Sequence, residues 1–335
     1  MPHFTSRLLR FAVPSTRQFS TTRNAAAMKY HIACAYSSKG TTYHPERDLW
    51  TLTADSTIPF PHRDVHRSDA GQDAFFVSRP ACAPGSVAVG IADGVTRFGG
   101  FDFDSTFFSQ GLCARMAEAE PVSSAVEIIS IGFDKLKMSG NIFGGSTACV
   151  ALFDREGNVS TANLGDSGLV ILRAGKGAYQ TKTQRMIGGA AQLAIPPLEM
   201  EKEIISDLPG TAYLDEHKIQ HGDVVLLATD GLWDNLKRLK DANTEDPGSV
   251  IDMVTEAMVG CGAWVKNAQG GQESVSVYPG LEHMIATKTD GIESCVAKTV
   301  LGKVKVASDK PEGKKDDITV MVVFATAEGG ERDMT

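Results

Sequence analysis

The chain has 335 residues, with 33 Lys or Arg against 41 Asp or Glu, for a formal net charge of −8. That balance argues against nucleic acid as a partner, because phosphate backbones demand a basic face, and against general attraction to anionic membranes. No stretch approaches ~18 uninterrupted apolar residues, so no integral membrane segment is expected, and the length allows one large core that needs no disulfide or structural zinc.

Residues 1–27 contain Arg7, Arg10, Arg17 and Arg23 and no acid; the first acid of the chain is Glu46. Phe4, Leu8 and Phe11 recur at helical spacing, and Pro14 would end such a helix. An Arg-rich, acid-free amphipathic start fits a mitochondrial presequence. Arg17-Gln18-Phe19-Ser20 resembles a processing site. The remainder, 28–330, contains no linker-like tract and reads as a single domain.

In that domain, Gln72–Ser78 and Ser86–Ala92 are short, apolar and β-prone, and predict strands. Asp104–Glu118 and Pro121–Met138 predict helices, with Phe107, Phe108, Leu112 and Met116 near one face of the first and Val122, Val126, Ile129 and Phe133 near one face of the second. Strands follow at Thr147–Phe153, Val159–Leu164 and Gly168–Arg173, the first two joined by a hairpin turn over Asp154–Asn158. Val224–Ala228 predicts a fully buried strand, Val250–Met258 and a segment around Gly291–Leu301 predict helices, and Ile318–Phe324 a final strand. Gly260–Leu281 reads as a surface loop, as does the Lys-rich stretch Lys303–Lys315. His62 and His66 read as solvated loop histidines. The six cysteines are scattered singly, with no CxxC pair, and read as free thiols in a reducing compartment. Helices in pairs between groups of strands indicate an α+β layered domain with mainly antiparallel sheets, not a Rossmann fold or a TIM barrel.

The aspartates repeat a context. Strands run into Asp93-Gly94, Asp166-Ser167-Gly168 and Asp230-Gly231, while Asp316-Asp317 precedes Ile318 and Asp73 precedes Ala74. Each pair has two readings. One is turn chemistry, in which Asp accepts nearby backbone N–H groups and Gly supplies positive φ. The other is a hard-cation site, because magnesium and manganese prefer carboxylate and carbonyl oxygens.

The flanking residues separate the two. Gly71-Gln72-Asp73-Ala74-Phe75-Phe76, Ala92-Asp93-Gly94-Val95, Gly145-Ser146-Thr147-Ala148, Asn163-Leu164-Gly165-Asp166-Ser167-Gly168, Ala228-Thr229-Asp230-Gly231-Leu232-Trp233-Asp234 and Asp316-Asp317-Ile318-Thr319-Val320 occur in that order. Together they resemble the signature of the protein phosphatase 2C (PPM) family over about residues 65–325. Gln184–Pro197 and Ser105–Ser109 resemble its mitochondrial branch.

The resemblance implies a four-layer αββα sandwich binding two or three Mg²⁺ or Mn²⁺ ions at one end. It implies Asp93 as the bridging carboxylate and Gly94 as a backbone-carbonyl ligand. Asp230 and Asp316 would hold the first metal, Asp73 lies on the second metal's side, and Asp166 resembles a ligand for a third. It further implies attack on a phosphoserine or phosphothreonine by a metal-bridging hydroxide, with no phosphoenzyme, on phosphorylated mitochondrial proteins, in the matrix.

Three departures stand out. Gln72 replaces a common Glu. Thr96 and Arg97 replace two glycines. Val95 stands where some members carry a candidate acid, His. Ser68 sits near the place of the family's phosphate-binding arginine, with Arg67 one residue off, so Arg97 is a candidate phosphate fork. The alternatives are a pseudophosphatase, which Gln72, Thr96 and Arg97 favour and the retained Asp93, Asp230 and Asp316 oppose, and a phosphatase of small phosphate esters.

Overall fold

In this computed structural model, the described residues are 26–328 without 53–69, 96, 99–100, 103, 141, 187–188, 203, 240–247, 270–271, 282–283, 285–290 and 312. Residues 1–25 of the expected presequence, His62, His66, Arg67, Ser68 and Thr96 lie outside the described residues.

The first half of the chain forms β1 Met28–Ser37, β2 Leu49–Leu52, β3 Asp73–Ser78, β4 Val87–Val95, the small ribbon β5 Arg97–Phe98 and β6 Phe101–Asp102, helices α1 Thr106–Ala117 and α2 Ala125–Met138, and β7 Gly144–Ser146 and β8 Ala148–Phe153. Then come β9 Asn158–Leu164, β10 Gly168–Arg173, β11 Lys176–Gln180, the ribbon β12 Arg185–Met186 and β13 Gly189–Ala190, β14 Leu193–Ile195, β15 Tyr213–Lys218 and β16 Val224–Ala228. The last part holds α3 Asp230–Leu239, α4 Gly248–Gly260, the hairpin β17 Trp264–Gln269 and β18 Gln272–Val277, α5 Ile292–Ser308 and β19 Ile318–Ala327.

Two antiparallel sheets organise these elements. One has the order β11-β10-β16-β19-β1-β2; the other runs β14-β7-β4-β8-β9-β15, with β3 on the free side of β4. Period-2 alternation sends the side chains of the central strands to two different cores. Along β4, Val87, Val89 and Ile91 join the core between the sheets, where they meet Ile32, Leu227 and Met321. Ala88 and Ala92 face the other way, into a core with Phe108 and Leu112 of α1 and Ile129 and Phe133 of α2. Along β19, Met321 and Val323 point between the sheets, while Val320, Val322 and Phe324 pack under α3, α4 and α5. Three apolar layers between four layers of structure make the αββα sandwich. The central strands β4, β8, β16 and β19 are apolar because both faces are buried, while the edge strands β11 and β15 are polar and largely exposed.

Three expectations are corrected. Cys261, just past α4, and Cys295, in the first turn of α5, form a disulfide, whereas Cys34, Cys82, Cys113 and Cys149 are free. The pairing joins positions 34 residues apart, so local spacing carries no trace of it. The expected loop Gly260–Leu281 contains the β17–β18 hairpin instead. Trp264 anchors it, buried in the core under the first sheet, with its indole N–H donating to the Gly222 carbonyl at 3.1 Å. The expected Lys-rich loop is helical as far as Ser308, and Lys305 is buried. Among the described residues, no helix is long and apolar enough to cross a membrane.

Candidate metal centre

Strands β3 and β4 pair so that Asp73 stands directly opposite Asp93. Asp73 is 1% exposed. Its Oδ2 accepts the Thr229 hydroxyl at 2.8 Å, and Thr229 Oγ1 in turn accepts the Thr319 N–H at 3.1 Å. Residues of the first sheet therefore fix a carboxylate that the second sheet carries. Its other oxygen, Oδ1, is buried with no hydrogen-bond partner among the described residues, an arrangement that is costly unless something else meets the oxygen.

Asp93 is held by its backbone. Its carbonyl accepts the Thr147 N–H and the Ser146 hydroxyl, both at 2.9 Å, and its N–H donates to Thr147 Oγ1 at 3.1 Å. The Thr147 and Ser167 hydroxyls bond at 2.7 Å, which ties the Gly-Ser-Thr-Ala segment to the residue after Asp166. The three carboxylates of Asp93, Asp166 and Asp230 each place an oxygen within 4.8 Å of the others.

The paired glycines act differently from the turn reading. Neither Gly94 nor Gly231 has positive φ. Asp93-Gly94 lies inside β4, not beyond it, and Asp230-Gly231 begins α3. A Cβ on Gly231 would sit 2.0 Å from the Asp317 carbonyl, and one on Gly94 would sit 2.8 Å from the Gln72 carbonyl. Each glycine lets a neighbouring backbone come close enough to bring separate acids to one place.

The Asp316-Asp317 pair divides its work. Asp317 accepts the backbone N–H groups of Lys39 at 2.6 Å and Gln72 at 2.8 Å, so it clamps two loops. Asp316 instead pairs with the Lys314 ammonium at 2.8 Å. Lys314 Nζ also lies 2.5 Å from Asp230 Oδ2 and 3.0 Å from Asp234 Oδ2. Buried Asn235 fixes this lysine's backbone: its Oδ1 accepts the Lys314 N–H at 2.9 Å, and its Nδ2 donates to the Lys314 carbonyl at 3.0 Å.

Burial and crowding raise the affinity of these acids for protons. Asp93 is pushed well up, first by desolvation and then by Asp73, Asp230, Asp316 and Asp166. Asp73 is raised by desolvation and by Asp317, with the Thr229 hydroxyl offsetting part. Desolvation also raises Asp166, and lifts Asp230 to about 6 against the opposing pull of Lys314. For Lys314, burial acts downward, but Asp230 and Asp316 outweigh it and the net shift is upward.

All the expected aspartates thus fall in one region: the triad Asp93, Asp166 and Asp230, then Asp73 across the strand pair, and Asp316 joined to Asp230 through Lys314. Arg97 is described only as the backbone of β5, so the geometry bears on the acids and leaves its side chain aside. Sequence reasoning missed Thr229, Asn235 and Lys314. The first two lie in or beside a quoted motif, and Lys314 was hidden among neighbouring lysines.

No family model matches the sequence. Among curated proteins, the chain is 33% identical over 203 residues to a protein phosphatase PTC7 homolog of Danio rerio, covering 56% of this chain and 67% of that one. It is 34% identical over 192 residues to the Homo sapiens PTC7 homolog, covering 52% and 62%. It is 30% identical over 290 residues to the protein phosphatase 2C homolog 7, mitochondrial, of Saccharomyces cerevisiae, covering 78% and 76%. The chain thus spans somewhat under two thirds of the human relative's length and about three quarters of the yeast one's. A solved catalytic domain of the serine/threonine phosphatase PstP, in complex with two manganese ions, aligns at 15% identity over 89% of this chain and 99% of that one. The TM-score of that alignment is 0.46. This chain belongs to the protein phosphatase 2C family, in its mitochondrial PTC7 branch.

Proposed function

We propose that this chain is a metal-dependent phosphatase of phosphoserine and phosphothreonine in mitochondrial proteins, working in the matrix. The observation that carries the reading is the convergence of Asp93, Asp166 and Asp230 within 4.8 Å, on residues whose burial makes them costly to keep charged. A fold does not keep like charges together for its own stability.

The residues fit divalent cations. The side-chain donors are all hard carboxylate oxygens, suited to Mg²⁺ or Mn²⁺. One buried Asp73 oxygen lacks a partner among the described residues, and a cationic side chain, Lys314, already stands against two of the acids. On this reading the carboxylates of Asp93, Asp230, Asp316, Asp73 and Asp166 and the Gly94 carbonyl would hold two or three such ions. When bound, such ions polarise phosphoryl oxygens and acidify water.

The chain's own residues supply position. Thr229 aims Asp73, and Ser146 and Thr147 lock the backbone of Asp93. Gly231 lets Asp230 sit against the start of β19. Arg97 is the residue we assign to binding the substrate phosphate, since a guanidinium suits phosphate oxygens. Residues 1–27 serve as the import presequence; the name of the yeast relative supports the mitochondrial location.

The test is hydrolysis of p-nitrophenyl phosphate and of a phosphothreonine peptide with Mn²⁺, Mg²⁺ or EDTA, beside Asp93→Asn. Turnover that needs the metal and disappears in the variant is expected. A folded protein inactive with every metal would overturn the reading.

A further inference from the structure

Lys314 has three anionic partners: Asp230 at 2.5 Å, Asp316 at 2.8 Å and Asp234 at 3.0 Å. Its side chain is only 28% exposed. The backbone beneath it is secured without the ammonium, by both ends of the Asn235 amide and by the Ser308 hydroxyl, which donates to the Lys314 carbonyl at 2.8 Å. The ammonium can therefore leave its partners while the chain stays in place. A lysine suits such a task, being a compact point charge on a flexible stem, where an arginine is a rigid fork.

The contacts also conflict with a second cation. Asp230 belongs to the triad with Asp93 and Asp166, and it gives Oδ2 to Lys314. Asp316 gives Oδ2 to the same ammonium. An ion drawn to these two acids must compete with a single positive charge already seated between them.

We propose that Lys314 is a resident counter-ion of the acidic cluster, which a divalent cation displaces from Asp230 and Asp316, so that this lysine sets how tightly the centre takes metal. The inference rests on the metal-dependent reading above. Released from those acids, the ammonium keeps Asp234 as its partner. The lysine stabilises the metal-free protein and weakens metal binding, two effects of opposite sign that a merely structural residue would not produce.

The experiment is calorimetric titration of Mn²⁺ into the full chain, wild type against Lys314→Met, Lys314→Gln and Lys314→Arg, with thermal melts in EDTA and in saturating Mn²⁺. The neutral variants are expected to bind Mn²⁺ about tenfold more tightly, as loss of a charge-assisted competitor implies. In EDTA they are expected to melt about 2–6 °C lower, and saturating Mn²⁺ should close or reverse that gap. Lys314→Arg, which keeps the competing charge, should bind Mn²⁺ no more tightly than wild type. Unchanged or weaker Mn²⁺ binding in both neutral variants would overturn the proposal and make Lys314 a bystander or a fixed support for the acids. If Lys314→Met does not fold, Lys314→Gln decides on the same readouts. A wild-type chain that binds no Mn²⁺ would instead sink the metal-dependent reading, a separate outcome.

Discussion

Strand β16 carries an aspartate just beyond each end, Asp223 before Val224 and Asp230 after Thr229. Asp223 is 1% exposed and saturated. The Arg173 guanidinium reaches Oδ1 at 2.9 Å and Oδ2 at 2.7 Å, and the Gln220 N–H donates to Oδ2 at 2.7 Å. Arg173 faces this acid from the neighbouring strand, a fork matched to a carboxylate. Asp230, at the other end, gathers more acids around it, and one lysine answers them. Asp73 shows the same contrast, equally buried with one oxygen unpartnered among the described residues. The difference separates two uses of a buried carboxylate. Where the fold needs the charge, it completes the hydrogen bonds; where chemistry needs it, the coordination stays open.

Substitution can sharpen or break that distinction. The largest effect is expected at Asp93→Asn. Metal-dependent turnover should fall at least about a hundredfold, the loss of a few kcal/mol of charge stabilisation. Its melting temperature in EDTA should hold or rise, since a repelled, buried charge is removed. A large loss of metal-free stability would place Asp93 with Asp223, as a structural acid.

Asp223→Ala should do the reverse. Losing charge-assisted bonds is expected to cost about 1–3 kcal/mol, discounted because Arg173 is partly exposed. Urea unfolding would read that loss, while the rate per folded molecule with Mn²⁺ should stay at the wild-type level.

The pH dependence follows from Asp230. Its folded value, about 6, lies above the ordinary carboxylate value near 3.8, so the native state holds the proton more tightly than the unfolded chain. Its contribution is favourable below about pH 4 and is lost as pH rises through about 6. In EDTA, wild type should therefore lose up to about 2–3 kcal/mol relative to Asp230→Asn between those limits. Parallel stability curves for the two proteins would remove the crowding argument.

The smallest effect is expected at Arg97→Ala. A weakened phosphate fork should raise KM about tenfold and leave metal affinity alone. An unchanged KM would leave Arg97 as a part of the β5–β6 ribbon with no role in phosphate binding.

Much of the fold was legible because strand signals here are local. The β8–β9 hairpin appears through short strand runs separated by the Asp154–Asn158 turn, and β10 and β16 as runs of the observed lengths. The β17–β18 hairpin was hidden because its Gly, Ser and Gln residues read as loop, and only Trp264 reaching a distant core makes it a strand pair. Helix α3 was missed because Asp230-Gly231 reads as a turn until the Asp317 carbonyl is seen packed against Gly231.

By itself, the sequence determined the alternation that sorts side chains into layers and the short motifs that deliver each aspartate, since both depend on neighbours along the chain. Tertiary structure decided which acids meet. Asp93, Asp166 and Asp230 come from three separate segments, and the closure of two sheets brings their oxygens together. It also decided that Cys261 joins Cys295, and that Lys314, alone among the neighbouring lysines 310, 314 and 315, turns its charge onto those acids. Such pairings depend on distances between residues far apart in the chain, which no local pattern encodes.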